Sequence, residues 1–430
     1  MDDGLGAHTP TREQRWKLVP GAGGDDPELD EFFHYFVSGV QPVREEAVVD
    51  FDSAALENRM RAYFDRTVPN EVLFGSFPAF VMERARYDPT RTRNRLLGDS
   101  TYVAERVVPF LFKPFDGRWL YWEPLHKLLN ESRRELIPYY LRPTPAGWMR
   151  VEGQVAIIAA QTARRPGAAR PAVSKGVAGF HAVDPDARVL PRLKPREGLT
   201  ADSADHALSL GRPDDAEYAT NIGADWLEAA RTAGVTGSDL EVGDTVFYAL
   251  IAVMNAPSWV ASIGTDNDDF AGVPLPSDPR LLAEAGLLGE RLAILYDPFA
   301  DVDGITRGAL TPALTTLAVP DAPRDRSLTA GNSRRGGVYE GDSILWNEAH
   351  GWRNVSQEIW DFNVGGFPVI PKWLSYRHVR RGGYTLTDQD LETVTHICRR
   401  IAGVLALSDD CERMYAEALA SPLAPMMHDP

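Results

Sequence analysis

DFNVGGFPVIPKWLSYR, residues 361–377, sets two glycines among aromatic residues and then runs into Pro-Lys-Trp-Leu and a Tyr-Arg finish. Gly365 and Gly366 permit a backbone geometry or a close approach that any side chain would block. Pro371 suits a first helical position, and Trp373, Leu374 and Arg377 then share part of one helix face. The stretch reads as a tight strand or turn that delivers a short amphipathic helix.

Outward from it, the chain alternates strand-like and helix-like patterns. Upstream, SAALENRMRAYFD (53–65) has helical periodicity, and FLFKPFDGRWLYWE (110–123) reads as two short aromatic strands around an Asp116-Gly117 turn. GQVAIIAAQ (153–161) is a buried-strand pattern, followed by the basic loop TARRPGAARP. A helix-like segment containing DWLEAARTAG comes next, then an apolar helix over 242–260 with a stop at Ala256-Pro257, and another helix over 277–296. Residues 300–336 are loop-like and end in Arg334-Arg335-Gly-Gly, and the tail from Asp388 to Leu419 is helical. The pattern predicts an α+β protein, a β-rich core flanked by helices with a helical C-terminal segment. Four parts follow: a flexible acidic tail (1–28), an N-terminal region (29–140), a core (141–387) and the helical end (388–430).

With 430 residues, 44% of them hydrophobic, the chain can build more than one core. It has no run long enough for a membrane span and no apolar signal region, so a cytoplasmic location is expected. Two cysteines, Cys398 and Cys411, supply neither a disulfide framework nor a thiolate metal site. The net charge of −16 argues against a simple basic nucleic-acid binder, but the charge is uneven. Residues 1–60 hold thirteen acids against five bases, whereas residues 142–196 hold ten bases against three acids. Residues 370–385 carry Lys372, Arg377, Arg380 and Arg381 with no acid. A basic tract inside an acidic chain is a candidate polyanion contact.

Catalytic motifs do not emerge. HExxH, CxxC, G-x-S-x-G and a phosphate loop are all missing, and the nine histidines are scattered. No metal site, cofactor site or catalytic residue is expected. With 61 Asp and Glu, paired carboxylates are common, so an orphan carbohydrate hydrolase stays open as an alternative. A structural adaptor that reads no sequence is another.

Five blocks taken in order resemble a known family. FFHYFVSGVQPVREEAVVDFDSAALENRMRAYFD is similar to the segment that follows the methyltransferase motifs in single-chain type ISP restriction–modification enzymes. PFLFKPFDGRWLYWE resembles that family's Arg-Pro-Phe-Asp-x-Arg-Trp block, with Lys113 where arginine is usual and Trp122 in place of a tyrosine. DTVFYALIAVMNAPSWV resembles its Phe-Tyr-x-Ile helix, with Asn255 and Ala256 for His-Ser, and GVPLP with LGERLAILY continues the match. WDFNVGGFPVIPKWLSYR is similar to its Val-Gly-Gly-Tyr…Lys-Trp-Leu-x-x-Arg motif. In that family this region is the C-terminal DNA target-recognition, or specificity, domain.

The resemblance implies a specificity module for restriction–modification or phage defence that binds duplex DNA. The glycine-rich S-adenosylmethionine loop and the Asn-Pro-Pro-aromatic motif of the family's methyltransferase are missing. The module is therefore expected not to be an enzyme by itself and to serve a separately encoded methyltransferase or defence enzyme. Arg118, Arg164, Arg165, Lys175, Arg334, Arg335, Lys372, Arg377, Arg380 and Arg381 are the candidate DNA contacts, the loop residues foremost, because arginine suits phosphate and guanine edges. Phe32, Phe33, Tyr35 and Phe36 are expected to form an exposed aromatic surface that docks the partner enzyme.

Overall fold

The helix Asp239–Val253 is apolar on most sides and buries Val246, Phe247, Leu250 and Ile251, so it has to sit inside the molecule. A capping box between Ser238 and Glu241 fixes its start. It packs along Pro279–Tyr296, where a Cβ on Gly289 would collide with the backbone of Tyr248. The predicted helical tail divides into Asp388–Leu405 and Ser408–Ala420, which close over this pair. The computed structural model describes residues 27–81, 87–144, 147–160, 170–184, 186–196, 218–263, 272–322, 324–332, 334–378 and 384–425. The tail expected over 1–28 lies almost wholly outside them.

Among the described residues, three four-stranded sheets accompany the helices. In the first, Val37–Ser38, Ala187–Pro191, Ala156–Ala160 and Ala172–Ser174 lie antiparallel in that order. The second runs Val49–Asp50, Asp116–Tyr121, Val107–Lys113 and Val177–Ala178, its last pair parallel. The third joins Val319–Pro320, Gly351–Arg353, Ser343–Leu345 and Val338–Glu340. The fold is α+β, and its first two sheets draw strands from both sides of residue 140.

The aromatic hairpin turns two residues earlier than the sequence indicates. Lys113 pairs with Asp116, so Pro114 and Phe115 form the turn, with Phe115 at φ 60°. Asp116 is not a turn residue because its carboxylate is committed inward. It accepts from Arg118 Nε at 3.2 Å and Nη2 at 2.8 Å, and it faces Arg377 Nη1 at 3.8 Å.

The opening stretch folds as a hairpin, Asn363–Val364 with Phe367–Pro368, leading into the helix Val369–His378. Gly365 and Gly366 stand at φ 54° and 78°, in the left-handed region. A Cβ on Gly365 would also collide with Val183. The Gly365 N–H donates to Arg170 O at 2.9 Å, and its carbonyl accepts from Asp184 N at 2.8 Å. Both expected roles of the glycines, geometry and close approach, thus meet at one residue.

Trp373 and Leu374 are core, and Arg377, only 6% exposed, is buried with them. Its guanidinium lies 3.1 Å from the Trp373 ring centroid and donates from Nε to Asp390 Oδ1 at 3.1 Å. Asp390 in turn caps the helix Asp388–Leu405 through Thr387. Arg118 and Arg377, expected as DNA contacts, are instead buried members of an ion-pair cluster: both face Asp116.

The N-terminal aromatic run is corrected as well. Phe32 is fully buried and stacks on Trp226 with centroids 4.0 Å apart. Phe33 meets Phe247 edge-on at 6.1 Å, Tyr35 stacks on Tyr139 at 4.8 Å, and Phe36 packs partly buried against the core. These rings fasten residues 29–36 to the helical layer instead of forming an exposed surface.

Removing one partner of a buried ion pair strands the other in a low-dielectric site. Arg377→Ala should therefore cost about 3–5 kcal/mol of stability. Asp390→Ala should cost a similar amount, and the double variant should lose less than the sum. Urea unfolding of the three variants checks this; a loss for Arg377→Ala below about 1 kcal/mol, the range of a surface pair, would contradict it.

Candidate nucleic-acid interface

Arg334 and Arg335 stand on a short loop closed by a bridge between Gly331 and Gly336. Asn332 Oδ1 accepts from the backbone N–H groups of Arg334 at 2.9 Å and Arg335 at 3.1 Å, which shapes the loop from within. The Gly336 N–H donates to Pro371 O at 2.9 Å, fastening the loop to the helix Val369–His378. Both arginines are exposed. Arg335 reaches Asp361 at 3.3 Å and lies 5.3 Å from the Trp360 ring centroid. The Arg334 guanidinium has no partner among the described residues.

The same helix carries Lys372, half-buried, with its ammonium 4.9 Å from the Tyr376 ring centroid and 5.4 Å from that of Phe367. Arg334, Arg335 and Lys372 are thus brought together by one hydrogen-bonded corner. Lys175 is exposed in the turn between Ala172–Ser174 and Val177–Ala178, beside Asp297 and Phe299, and no described contact joins it to that corner. Arg164, Arg165, Arg380 and Arg381 lie outside the described residues. Arg170, which follows the first pair, donates from Nη1 to Asn363 O in the glycine hairpin at 3.2 Å.

Beside Lys372 opens a pocket of about 570 Å³ that the sequence alone does not reveal. Lys113, 5% exposed, lies among its lining residues. Its ammonium donates to His181 O and sits 4.3 Å from the Phe367 ring centroid, with Phe112 and Tyr376 each at 5.8 Å. Burial, reinforced by the Lys372 charge, pushes the Lys113 pKa down to about 7, against the pull of Glu45, Asp184 and Asp116. Glu45, Glu46, His181 and Asp184 contribute polar groups to the walls. Sequence reading missed this site because its members come from four separate segments with no shared periodicity. The one usable signal was Lys113 itself, a lysine in a block where arginine is usual.

A loop carrying exposed arginines, the helix hydrogen-bonded to it and a polar–aromatic pocket thus adjoin one another. Residues 31–401 match the Type ISP C-terminal specificity domain, and the chain belongs to that family. No curated protein gives a significant match. Among solved structures, the chain is similar in fold to the ATP-dependent Type ISP restriction-modification enzyme LlaBIII bound to DNA. The TM-score is 0.52 at 12% identity, over 94% of this chain and 24% of that one. It is also similar to a nuclease-deletion mutant of the Type ISP enzyme LlaGI in complex with a DNA substrate mimic. That match has a TM-score of 0.52 at 13% identity, over 93% of this chain and 34% of that one. The DrdV–DNA complex matches with a TM-score of 0.54 at 13% identity, over 95% of this chain and 38% of the other. The chain spans between about a quarter and two fifths of the length of these relatives.

A lysine with a depressed pKa makes stability depend on pH with a definite sign. In the folded state Lys113 loses its proton near pH 7, whereas in the unfolded chain it holds it to about 10.5. The unfolded state binds the extra proton between those values, so this residue makes stability rise with pH across the window. From pH 7 to 9 the contribution amounts to about 2 kcal/mol. Lys113→Met should remove it, flattening the wild-type rise in urea midpoint; equal slopes in the two proteins would contradict a buried, desolvated Lys113.

Proposed function

We propose that this chain is a DNA target-recognition subunit of a restriction–modification or related phage-defence system. It binds duplex DNA and directs a separately encoded methyltransferase or nuclease that carries the chemistry. The observation that supports it best is the corner where Gly336 ties the exposed Arg334-Arg335 loop to the Lys372 helix. Cations held on a fixed scaffold lose little freedom when they meet phosphate, and arginine on such a loop can also grip a guanine edge. Membership in a specificity-domain family, and likeness in fold to three proteins described in complex with DNA or a DNA mimic, point the same way.

The net charge of −16 does not prevent this. At physiological salt, screening confines repulsion to about 8–10 Å, and within that distance the local cations decide what a phosphate meets. Lys175 and the arginines at 164, 165, 380 and 381 are further proposed contacts. Binding by this chain alone is weak, because its net charge of −16 opposes approach at long range.

If four to six phosphates are neutralised, log affinity should fall against log salt with a slope of about −4 to −5. Replacing Arg334 and Arg335 with alanine should flatten that slope by about one to two units. Replacing Arg413, which pairs with Glu284 on the helical layer, should leave it unchanged. Fluorescence anisotropy over a salt series, with selected and scrambled duplexes, reads all three. Unaltered slopes for the loop variant would remove the loop from the interface, and no binding to any duplex would overturn the proposed function.

A further inference from the structure

The pocket beside Lys372 has a composition that suits a planar, hydrogen-bonding ring. Phe180, Phe367 and Tyr376 are half-buried and leave ring surface toward the space, while Phe112 closes against Tyr376 edge-on with centroids 4.9 Å apart. Lys113 supplies a donor, and Glu45 and Asp184 supply carboxylate acceptors. Its volume of about 570 Å³ falls within the range of roughly 300–1,000 Å³ typical of ligand sites.

The wall formed by residues 40–46 is held under strain. Val43, a β-branched residue, stands at φ 61°, a conformation such residues rarely adopt. The next residue braces it: Arg44 donates to Lys127 O at 2.5 Å and to Leu128 O at 2.6 Å, and stacks 3.6 Å from the Tyr87 ring centroid. Strain kept in place by such bracing concentrates at ligand-binding positions.

Charge narrows the choice of ligand. Glu45, Glu46 and Asp184 in the lining disfavour a phosphate or carboxylate inside the pocket. A neutral base avoids that penalty while its phosphates remain outside, next to Lys372 and the Arg334-Arg335 loop. Carboxylates accept from the exocyclic amino groups of adenine, cytosine and guanine, and thymine has none. Lysine donates to ring nitrogen or carbonyl oxygen on the same bases.

We propose that this pocket receives an amino-bearing nucleobase turned out of the duplex, stacked against Phe367 and Tyr376 and hydrogen-bonded to Lys113 and Asp184. The inference rests on the DNA-binding function proposed above. Turning a base out costs a few kcal/mol of stacking and pairing, so a duplex that already carries an unpaired base should bind better.

The test compares four duplexes of one sequence: fully matched, with a single bulged adenine, with a bulged thymine, and with a bulged abasic residue. The abasic duplex controls for the bend that any bulge introduces. The wild-type protein should bind the bulged-adenine duplex about tenfold more tightly than the abasic one, the scale of one base–aromatic stack, with thymine between them. Phe367→Ala and Lys113→Met should each abolish that preference. Phe367 is half-exposed, so its variant tests the pocket even if the buried Lys113 replacement unfolds. Equal binding of adenine-bulged and abasic duplexes, with matched DNA still bound, overturns the pocket assignment and leaves the DNA-binding function standing. No binding to any of the four overturns both.

Discussion

The buried Arg377 guanidinium holds together three parts of the chain that are far apart in sequence. It faces Asp116 from the aromatic hairpin and Asp390 from the first turn of the Asp388–Leu405 helix, and it rests on Trp373 of its own helix. Asp116 is shared with Arg118, and Asp390 also accepts from Tyr384 and Thr387. Charges withdrawn from water are costly unless every one is matched. Here two arginines and two aspartates alternate, so the arrangement tolerates one geometry and penalises slippage of the helix against the hairpin. That constraint is what makes the Val369–His378 helix a fixed platform.

The arginine loop and the pocket are built on that platform. Pro371 receives the Gly336 hydrogen bond that locates the arginine loop, Lys372 faces the aromatic edge of the pocket, and Tyr376 helps line it. The glycine hairpin before the helix places Phe367 beside Lys113 and binds the segments at Arg170 and Asp184. A site assembled from remote segments needs such a scaffold, because its side chains must hold position without help from neighbours in sequence.

The sequence showed the fold where the causes were local. Gly365 and Gly366 could be read because only glycine tolerates that backbone and that closeness. The family resemblance and its α+β core were legible in five ordered blocks. What escaped was non-local. Arg118 and Arg377 looked like surface cations because their partner Asp116 acts through burial, which a sequence does not display. Phe32 and Phe33 looked exposed because the acids around them disguise a contact with Trp226 and Phe247. Asp116-Gly117 looked like a turn because that dipeptide favours one, yet the inward carboxylate moved the turn to Pro114-Phe115. The Lys113 pocket could not be read at all, since Glu45, Lys113, Asp184 and Tyr376 meet only after folding.

The central claim is that one face, built on the Val369–His378 helix, meets duplex DNA. Hydrogen–deuterium exchange of the intact chain, with and without saturating duplex, tests it most directly. The account predicts slower exchange at residues 334–345 and 363–378 when DNA is present, with the Pro279–Tyr296 helix unchanged. Protection on the Pro279–Tyr296 helix with none at the arginine loop, or no protection under conditions where DNA is bound, would contradict it.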